Sequence, residues 1–269
     1  MQPKKQYGQH FLVNQGVVDK IARLASLSAD DLVVEIGPGT GVLTERLLES
    51  GATVIAIEID SELVAFLKER FSSHPNFTLL QADALRVDFK ELSHKYRKKI
   101  KVVSNLPYNI SGAILFRFVD QWEAFDRMVL TLQREVVERI TARCGTKAYG
   151  VLTVVLYAYG EVKREFNIMP GSFRPQPKVV STVFTLKMRE APLVERDVEP
   201  LFRKVVNAAF SKRRKTIYNA LKALVPQALL KEALEATGIL PTTRPDGILP
   251  EEYIRLSTTL YTLTKGAYN

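Results

Sequence analysis

From residue 32 to residue 132 the chain repeats one pattern: a short apolar run, a turn, then apolar residues at helical spacing. The runs are Leu32–Ile36, Thr53–Glu58, Phe77–Gln81, Ile100–Ser104 and Arg127–Leu132. Helical spacing follows at Val42–Ser50, Ser61–Ser72 and Ser111–Asp120, with Thr40 and Ser61 placed to cap the first two. Parallel strands need a crossover between them, so this alternation predicts an α/β fold, a parallel sheet with helices on both faces. Two later β-like stretches, Gly160–Ile168 and Val179–Lys187, have no helical spacing between them and are expected as an antiparallel pair at the sheet edge. Beyond Met188 the pattern changes. Pro192 marks a linker, and Val198–Phe210, Arg214–Leu224, Gln227–Thr237 and Pro250–Thr264 read as helices. Gly238 suits a helix C-terminal stop and Pro250 a first turn. The expected organisation is an α/β domain over residues 1–188 and a small all-helical domain over residues 189–269.

The first strand runs into Glu35-Ile-Gly-Pro-Gly-Thr-Gly41 and then a helix. Glycines at 37, 39 and 41 allow a tight turn and close approach of backbone to a ligand at the helix N-terminus. The spacing is not the G-x-G-x-x-G of dinucleotide enzymes, and Pro38 removes an N–H that a pyrophosphate would want. Glu58 closes the second strand, where a carboxylate can accept both ribose hydroxyl protons. Asp83 follows the third strand, where it can accept from an adenine amine. Acids and glycines at successive strand ends describe a ligand crevice, with Ile59 and Ala84 beside the two acids. A ligand with adenine and ribose but no phosphate fits it: S-adenosylmethionine. Gln9-His10-Phe-Leu12 offers groups that can fold over that cofactor.

The fourth strand ends in Ser104-Asn-Leu-Pro-Tyr108. An exocyclic adenine amine is a poor nucleophile because its lone pair is delocalised into the ring. Two acceptors at its N–H groups pull it towards tetrahedral geometry. The Asn105 side-chain oxygen and the backbone carbonyl of Leu106 or Pro107 are candidates. Pro107 stiffens the turn, and Tyr108 can stack on the base. Phe173, in the proline-rich stretch Phe173–Val179, is the candidate for a second aromatic wall. Such a base must be flipped out or already unpaired.

Composition narrows the partner. The 269 residues are 46% apolar and 25% charged, the balance of a globular protein. One cysteine, Cys144, excludes a disulfide framework and a cysteine metal cluster, and no metal is expected. No apolar run reaches the ~18 residues of a membrane helix, and Met1–Tyr7 has no apolar leader. A cytoplasmic monomer without membrane contact is expected. Lys and Arg number 38 against 29 Asp and Glu, a net charge of +9 that suits a polyanion. Arg203, Lys204, Lys212, Arg213, Arg214 and Lys215 lie in a stretch without acids. They are the candidate phosphate contacts on RNA. Lys95, Arg97, Lys98, Lys99 and Lys101 form a second cluster, and both clusters are expected to flank the base pocket.

Taken together, Gly8–Leu12, Glu35–Gly41, Glu58, Asp83, Asn105–Tyr108, Gln133–Val136 and Phe173–Val179 resemble the ribosomal RNA adenine N6,N6-dimethyltransferase family over nearly the whole chain. The resemblance implies a Rossmann-like S-adenosylmethionine-dependent methyltransferase sheet. It implies cofactor contacts at His10, Leu12, Gly37, Glu58, Asp83 and Asn105, and a target adenine framed by Asn105–Tyr108 and Phe173. The stretches Ala209–Leu221 and Asn105–Ser111 look like the branch that dimethylates two adjacent adenines in a hairpin loop near the 3′ end of 16S rRNA in the small ribosomal subunit or its precursor. The other branch modifies a 23S rRNA adenine and confers macrolide resistance. An RNA-binding assembly factor on a methyltransferase scaffold and a DNA adenine methyltransferase are the remaining readings, since fold alone does not decide.

Overall fold

The computed structural model describes residues 8–267; Met1–Tyr7, read above as lacking a leader, lie outside them. In chain order the elements are β1 (Phe11–Leu12), α1 (Gln15–Ala25), β2 (Leu32–Ile36), α2 (Val42–Leu48), β3 (Thr53–Glu58), α3 (Ser61–Arg70), β4 (Phe77–Gln81), α4 (Phe89–Tyr96), β5 (Ile100–Asn105), α5 (Ser111–Asp120) and β6 (Phe125–Gln133). Then come α6 (Arg134–Ile140), α7 (Val151–Tyr159), β7 (Gly160–Ile168), β8 (Phe173–Arg174), β9 (Ser181–Met188), α8 (Glu199–Ser211), α9 (Ile217–Leu221), α10 (Gln227–Thr237) and α11 (Pro250–Ala267). No helix among the described residues is long and apolar enough to cross a membrane.

Seven strands form one sheet in the order β4-β3-β2-β5-β6-β9-β7. The first five are mutually parallel and β9 runs antiparallel to β6. Every residue of β2 is buried, as a central strand covered on both faces requires. One face carries Val33, Val54, Val103 and Val129 against Val18 and Ile21 of α1 and Leu43 and Leu47 of α2. Elsewhere in this unit Phe89, Phe118 and Phe125 pack their rings 5.1–5.8 Å apart. As expected, β7 and β9 share the edge. Their side-chain bonds, Thr182 to Asn167 and Thr185 to Glu165, run in opposite order along the two strands.

Two cap assignments are corrected. Helix α2 starts from Gly41, in left-handed conformation, rather than from Thr40. Helix α3 starts from Asp60, whose carboxylate accepts from Glu62 N–H, so Ser61 is already inside the helix.

The chain divides into two compact units, but the second does not consist of the C-terminal residues alone. The first comprises the chain to Val137 and Val162–Met188; the second comprises Glu138–Glu161 and the chain from Arg189. Helix α7 therefore belongs with the C-terminal helices. Its sequence is apolar all round, VLTVVLYAY, which suits a buried helix. Arg189 N–H and Leu193 N–H donate to the carbonyls of Tyr159 and Ala158, and Tyr149 OH donates to Ile248 O at 2.7 Å.

Candidate active site

Between β2 and β5 the sheet order reverses direction, and the crevice beyond the strand ends is the expected ligand position in such a sheet. A cavity opens there, with about 970 Å³ of atom-free space including its mouth, a size suited to a small cofactor. Its walls come from residues 8–12, the glycine turn after β2, the ends of β3 and β4, and residues 105–110 after β5. All of these belong to the first unit.

The first wall is held by long-range bonds. β1 pairs antiparallel with β8, Leu12 against Phe173 and Phe11 against Arg174. Gln9 Nε2 donates to Asp60 Oδ2 at 3.2 Å. His10 Nδ1 lies 2.8 Å from Pro175 O; a carbonyl only accepts, so that nitrogen carries the hydrogen. The Phe11 ring covers Gly39, and no sequence signal pointed to this contact: a Cβ added at Gly39 would meet Phe11 Cδ1 at 2.6 Å. Gly39 has φ +59°, a conformation that L side chains rarely adopt. Gly41 plays another part than expected. It does not line the cavity but packs against Phe71 of the segment after α3.

Asn105 sits at the end of β5. Its Nδ2 donates to His10 O at 3.0 Å, which fixes which way the amide faces. The other end, Oδ1, is buried without a hydrogen-bond partner. A buried acceptor left unmet costs ~1–3 kcal/mol, so this atom is poised for a donor from a ligand. Pro107 O accepts from Ile110 N–H at 3.3 Å, which draws it into the turn and leaves Leu106 O as the available main-chain acceptor. The Leu106 side chain is buried. Tyr108 is clamped at both ends: its OH lies 2.5 Å from Ser181 Oγ on β9, and its ring centroid lies 5.3 Å from that of His10. Burial raises its pKa, so the phenol stays neutral.

Three acids approach the cavity. Glu58, 5% exposed, accepts from Ile59 and Asp60 N–H at 2.9 Å each. Burial raises its pKa and these amides oppose the rise. Asp83 Oδ1 accepts from Leu85 N–H, and its side chain remains one-third exposed at the cavity edge beside Ala84. Ile59, 45% exposed, offers an apolar surface next to Glu58. Glu35 is fully enclosed and receives the Thr44 hydroxyl at 2.6 Å. Burial pushes its pKa up to about 8, with Glu58 adding to the rise. A folded-state pKa above the unfolded value of 4.5 means the native protein binds more protons. The stabilisation is therefore complete below about pH 4.5 and lost as pH rises through about 8. Glu35→Gln is expected to remove this dependence, worth at most a few kcal/mol at about 2–4 °C of melting temperature each. Thermal melts at pH 5.5 and 8.5 check it; equal pH slopes in the two proteins would refute it.

The remaining candidates fare differently. Phe173 is fully buried in the apolar core with Leu12, Val103 and Ile168, and is absent from the cavity wall. It anchors β1 and offers no face to a base. In the second unit Lys204, Lys212, Arg214 and Lys215 are exposed. Arg203 pairs instead with Glu199 and lies over the Tyr159 ring. Arg213 donates to the carbonyls of Lys147 and Thr146 and to Asp246. Both hold the second unit together. The Lys95–Lys101 cluster does not flank the cavity: it lies before and at the start of β5, whereas the cavity is at the strand's far end.

The glycine cradle, the acids at the strand ends and the unmet Asn105 oxygen fit a nucleoside cofactor without phosphate. The family model described as Ribosomal RNA adenine dimethylase matches residues 1–261. A Ribosomal RNA small subunit methyltransferase A from Geobacter metallireducens is 40% identical over 264 residues, 97% of this chain and 96% of that protein. Its namesake from Hahella chejuensis is 41% identical over 261 residues, 97% and 93% of the two chains. Among solved structures, a dimethyladenosine transferase from Plasmodium falciparum aligns with a TM-score of 0.80 at 27% identity, over 92% of this chain and 96% of that one. The 23S rRNA methyltransferase ErmE aligns with a TM-score of 0.71 at 28% identity, over 93% and 99%.

Proposed function

Since the chain belongs to the ribosomal RNA adenine dimethylase family and is an S-adenosylmethionine-dependent methyltransferase, we propose that it dimethylates N6 of two adjacent adenines in the hairpin loop near the 3′ end of 16S rRNA. The substrate is the small ribosomal subunit or its precursor, and the protein acts in the cytoplasm as a monomer. The observation that carries the reading is the buried, unpartnered Asn105 Oδ1 at the cavity wall. The small-subunit branch is favoured over 23S rRNA because the relatives named for the small subunit reach 40–41% identity over 97% of this chain.

S-adenosylmethionine supplies the electrophilic methyl group. The rest falls to the chain's own residues. Glu58 takes the ribose hydroxyls and Asp83 the adenine amine of the cofactor, with Gly37, Gly39, Ile59, Ala84, Gln9, His10 and Leu12 completing its enclosure. In the first transfer Asn105 Oδ1 and Leu106 O would accept from the two N6 hydrogens of the target base, which localises the nitrogen lone pair on the side facing the methyl group. One N6 proton is released to water, and in the second transfer one of these acceptors would hold the single hydrogen that remains. Pro107 packs on Gly37, 3.0 Å from where a Cβ would lie, and so fixes the spacing between the two ligand positions. Tyr108, held by Ser181 and His10, is the stacking surface. Positioning and stabilisation of developing charge account for the acceleration. Exposed Lys204, Lys212, Arg214 and Lys215 contact phosphates, while RNA shape and splayed loop bases supply specificity.

The test is incubation with labelled cofactor and undermethylated small subunits, large-subunit RNA or duplex DNA, followed by nucleoside analysis. Dimethyladenosine is expected from the small subunit alone. Its absence there, with cofactor binding intact, would favour the assembly-factor reading.

A further inference from the structure

The Lys95–Lys99 segment is a second cationic surface that the methyl-transfer site leaves unused. It spans the last turn of α4 and leads into β5. Lys95, Arg97, Lys98 and Lys99 are all exposed; Lys95 is on the last turn of the helix, and the other three form a short turn with a defined shape. Arg97 adopts a left-handed conformation, φ +53°, and its N–H donates to His94 O. Lys98 N–H donates to Ser93 O, and Ser93 Oγ donates back to Lys98 O at 2.8 Å. The turn is thus closed on itself and presents Arg97, Lys98 and Lys99 around a shallow depression with His94.

Two neighbouring acids are committed elsewhere. Asp31, which leads into the adjacent β2, pairs with Lys101 at 3.0 Å. Glu123, before β6, pairs with Lys90 at 2.6 Å. Among the described residues no ion pair engages Arg97, Lys98 or Lys99. A surface whose cations are neutralised locally has little left for a polyanion; this one has its charge in hand.

Position separates this surface from the catalytic cavity. Lys99 directly precedes β5 and Asn105 ends it. Six extended residues at about 3.3 Å each put roughly 20 Å between them, at opposite ends of the sheet. A loop that inserts its base beside Asn105 does not at the same time lie on Lys98 and Lys99.

We propose that the Lys95–Lys99 turn binds the phosphate backbone of a second RNA segment, distinct from the loop that delivers the adenine. This rests on the RNA methyltransferase reading above and refines its substrate: an RNA large enough to reach both ends of the sheet, not an isolated hairpin. The contact is to phosphates and is blind to sequence.

The experiment compares full-length wild type with Lys98→Glu/Lys99→Glu in equilibrium binding to protein-free small-subunit rRNA, to whole small subunits and to the isolated target hairpin, across a salt series. On the long RNA the variant is expected to bind at least fivefold more weakly at ~0.1 M salt. Loss of two phosphate contacts should reduce the slope of log affinity against log salt by roughly 1.4–1.8. On the hairpin both quantities should stay unchanged, as should the affinity for S-adenosylmethionine, which also reports an intact fold. Unchanged affinity and slope on the long RNA would overturn the proposal. So would an equal loss on the hairpin, which would mean a general charge effect. A loss seen with whole subunits but not with protein-free rRNA would assign the surface to an acidic protein instead. Binding needs no turnover, so a failure of the wild type to methylate would count against the catalytic reading alone.

Discussion

Asn105→Ala is expected to lower the rate of methyl transfer to small-subunit RNA by two to three orders of magnitude. The scale is that of removing one pre-positioned polar group from a reacting centre, roughly 10²–10³ in turnover. Two functions of the side chain are lost together. Oδ1 is the acceptor that has no protein partner, and Nδ2 holds the His10 carbonyl. Asn105→Asp separates them: it keeps an acceptor oxygen, discards the donor and adds a charge. If acceptance from the adenine amine dominates, the aspartate variant should retain more activity than the alanine variant. If tethering of residues 8–12 dominates, the two should be equally impaired, and cofactor affinity should fall in both. Initial rates with labelled cofactor, alongside calorimetric titration, give both readings. An alanine variant with a third or more of the wild-type rate would remove Asn105 from the chemistry.

Gly39→Ala should weaken S-adenosylmethionine binding by tenfold or more. Two costs combine. The left-handed backbone at φ +59° disfavours any L side chain by roughly 1–2 kcal/mol. The new methyl group would also stand 2.6 Å from Phe11 Cδ1, closer than real contacts allow, so the ring must leave the turn it covers. Adding Phe11→Ala to the variant makes room and should recover the steric part of the loss but not the backbone part. Calorimetry on the single and double variants measures both. Affinity within twofold of wild type in the single variant would show that the turn does not hold the cofactor.

Much of this arrangement was legible in the sequence because it is local. The strands Leu32–Ile36, Thr53–Glu58 and Phe77–Gln81 are found where apolar runs predict them, since buried parallel strands need uninterrupted Val, Ile and Leu. Their C-terminal ends bring Gly37, Glu58 and Asp83 to one cavity, as chain order alone requires of a parallel sheet. What escaped was long-range. Phe173 looked like a free aromatic on a loop, but pairing of β8 with β1 turns it into the core. Gly41 belongs to the same motif as Gly37 and Gly39 yet faces Phe71, because the turn rotates each residue to a different neighbour. Arg203 and Arg213 sat in a basic stretch free of acids, while their partners lie outside it, Glu199 immediately before and Asp246 far along the chain. Helix α7 hid because an apolar stretch with no polar face has no periodicity to read.

The pairing of β1 with β8 joins residues 11–12 to residues 173–174. During synthesis, which proceeds from the N-terminus, the segment bearing Gln9 and His10 emerges first and can meet Asp60 and Asn105, but its strand partner and the Pro175 carbonyl are missing until residues 173–175 have left the exit tunnel. A nascent chain that has already completed its glycine turn and its Asn105 corner is therefore still open on one side. A chain that ends between Ile110 and Phe173 keeps every residue of the cavity wall and lacks the strand that pins residues 11–12 beside it.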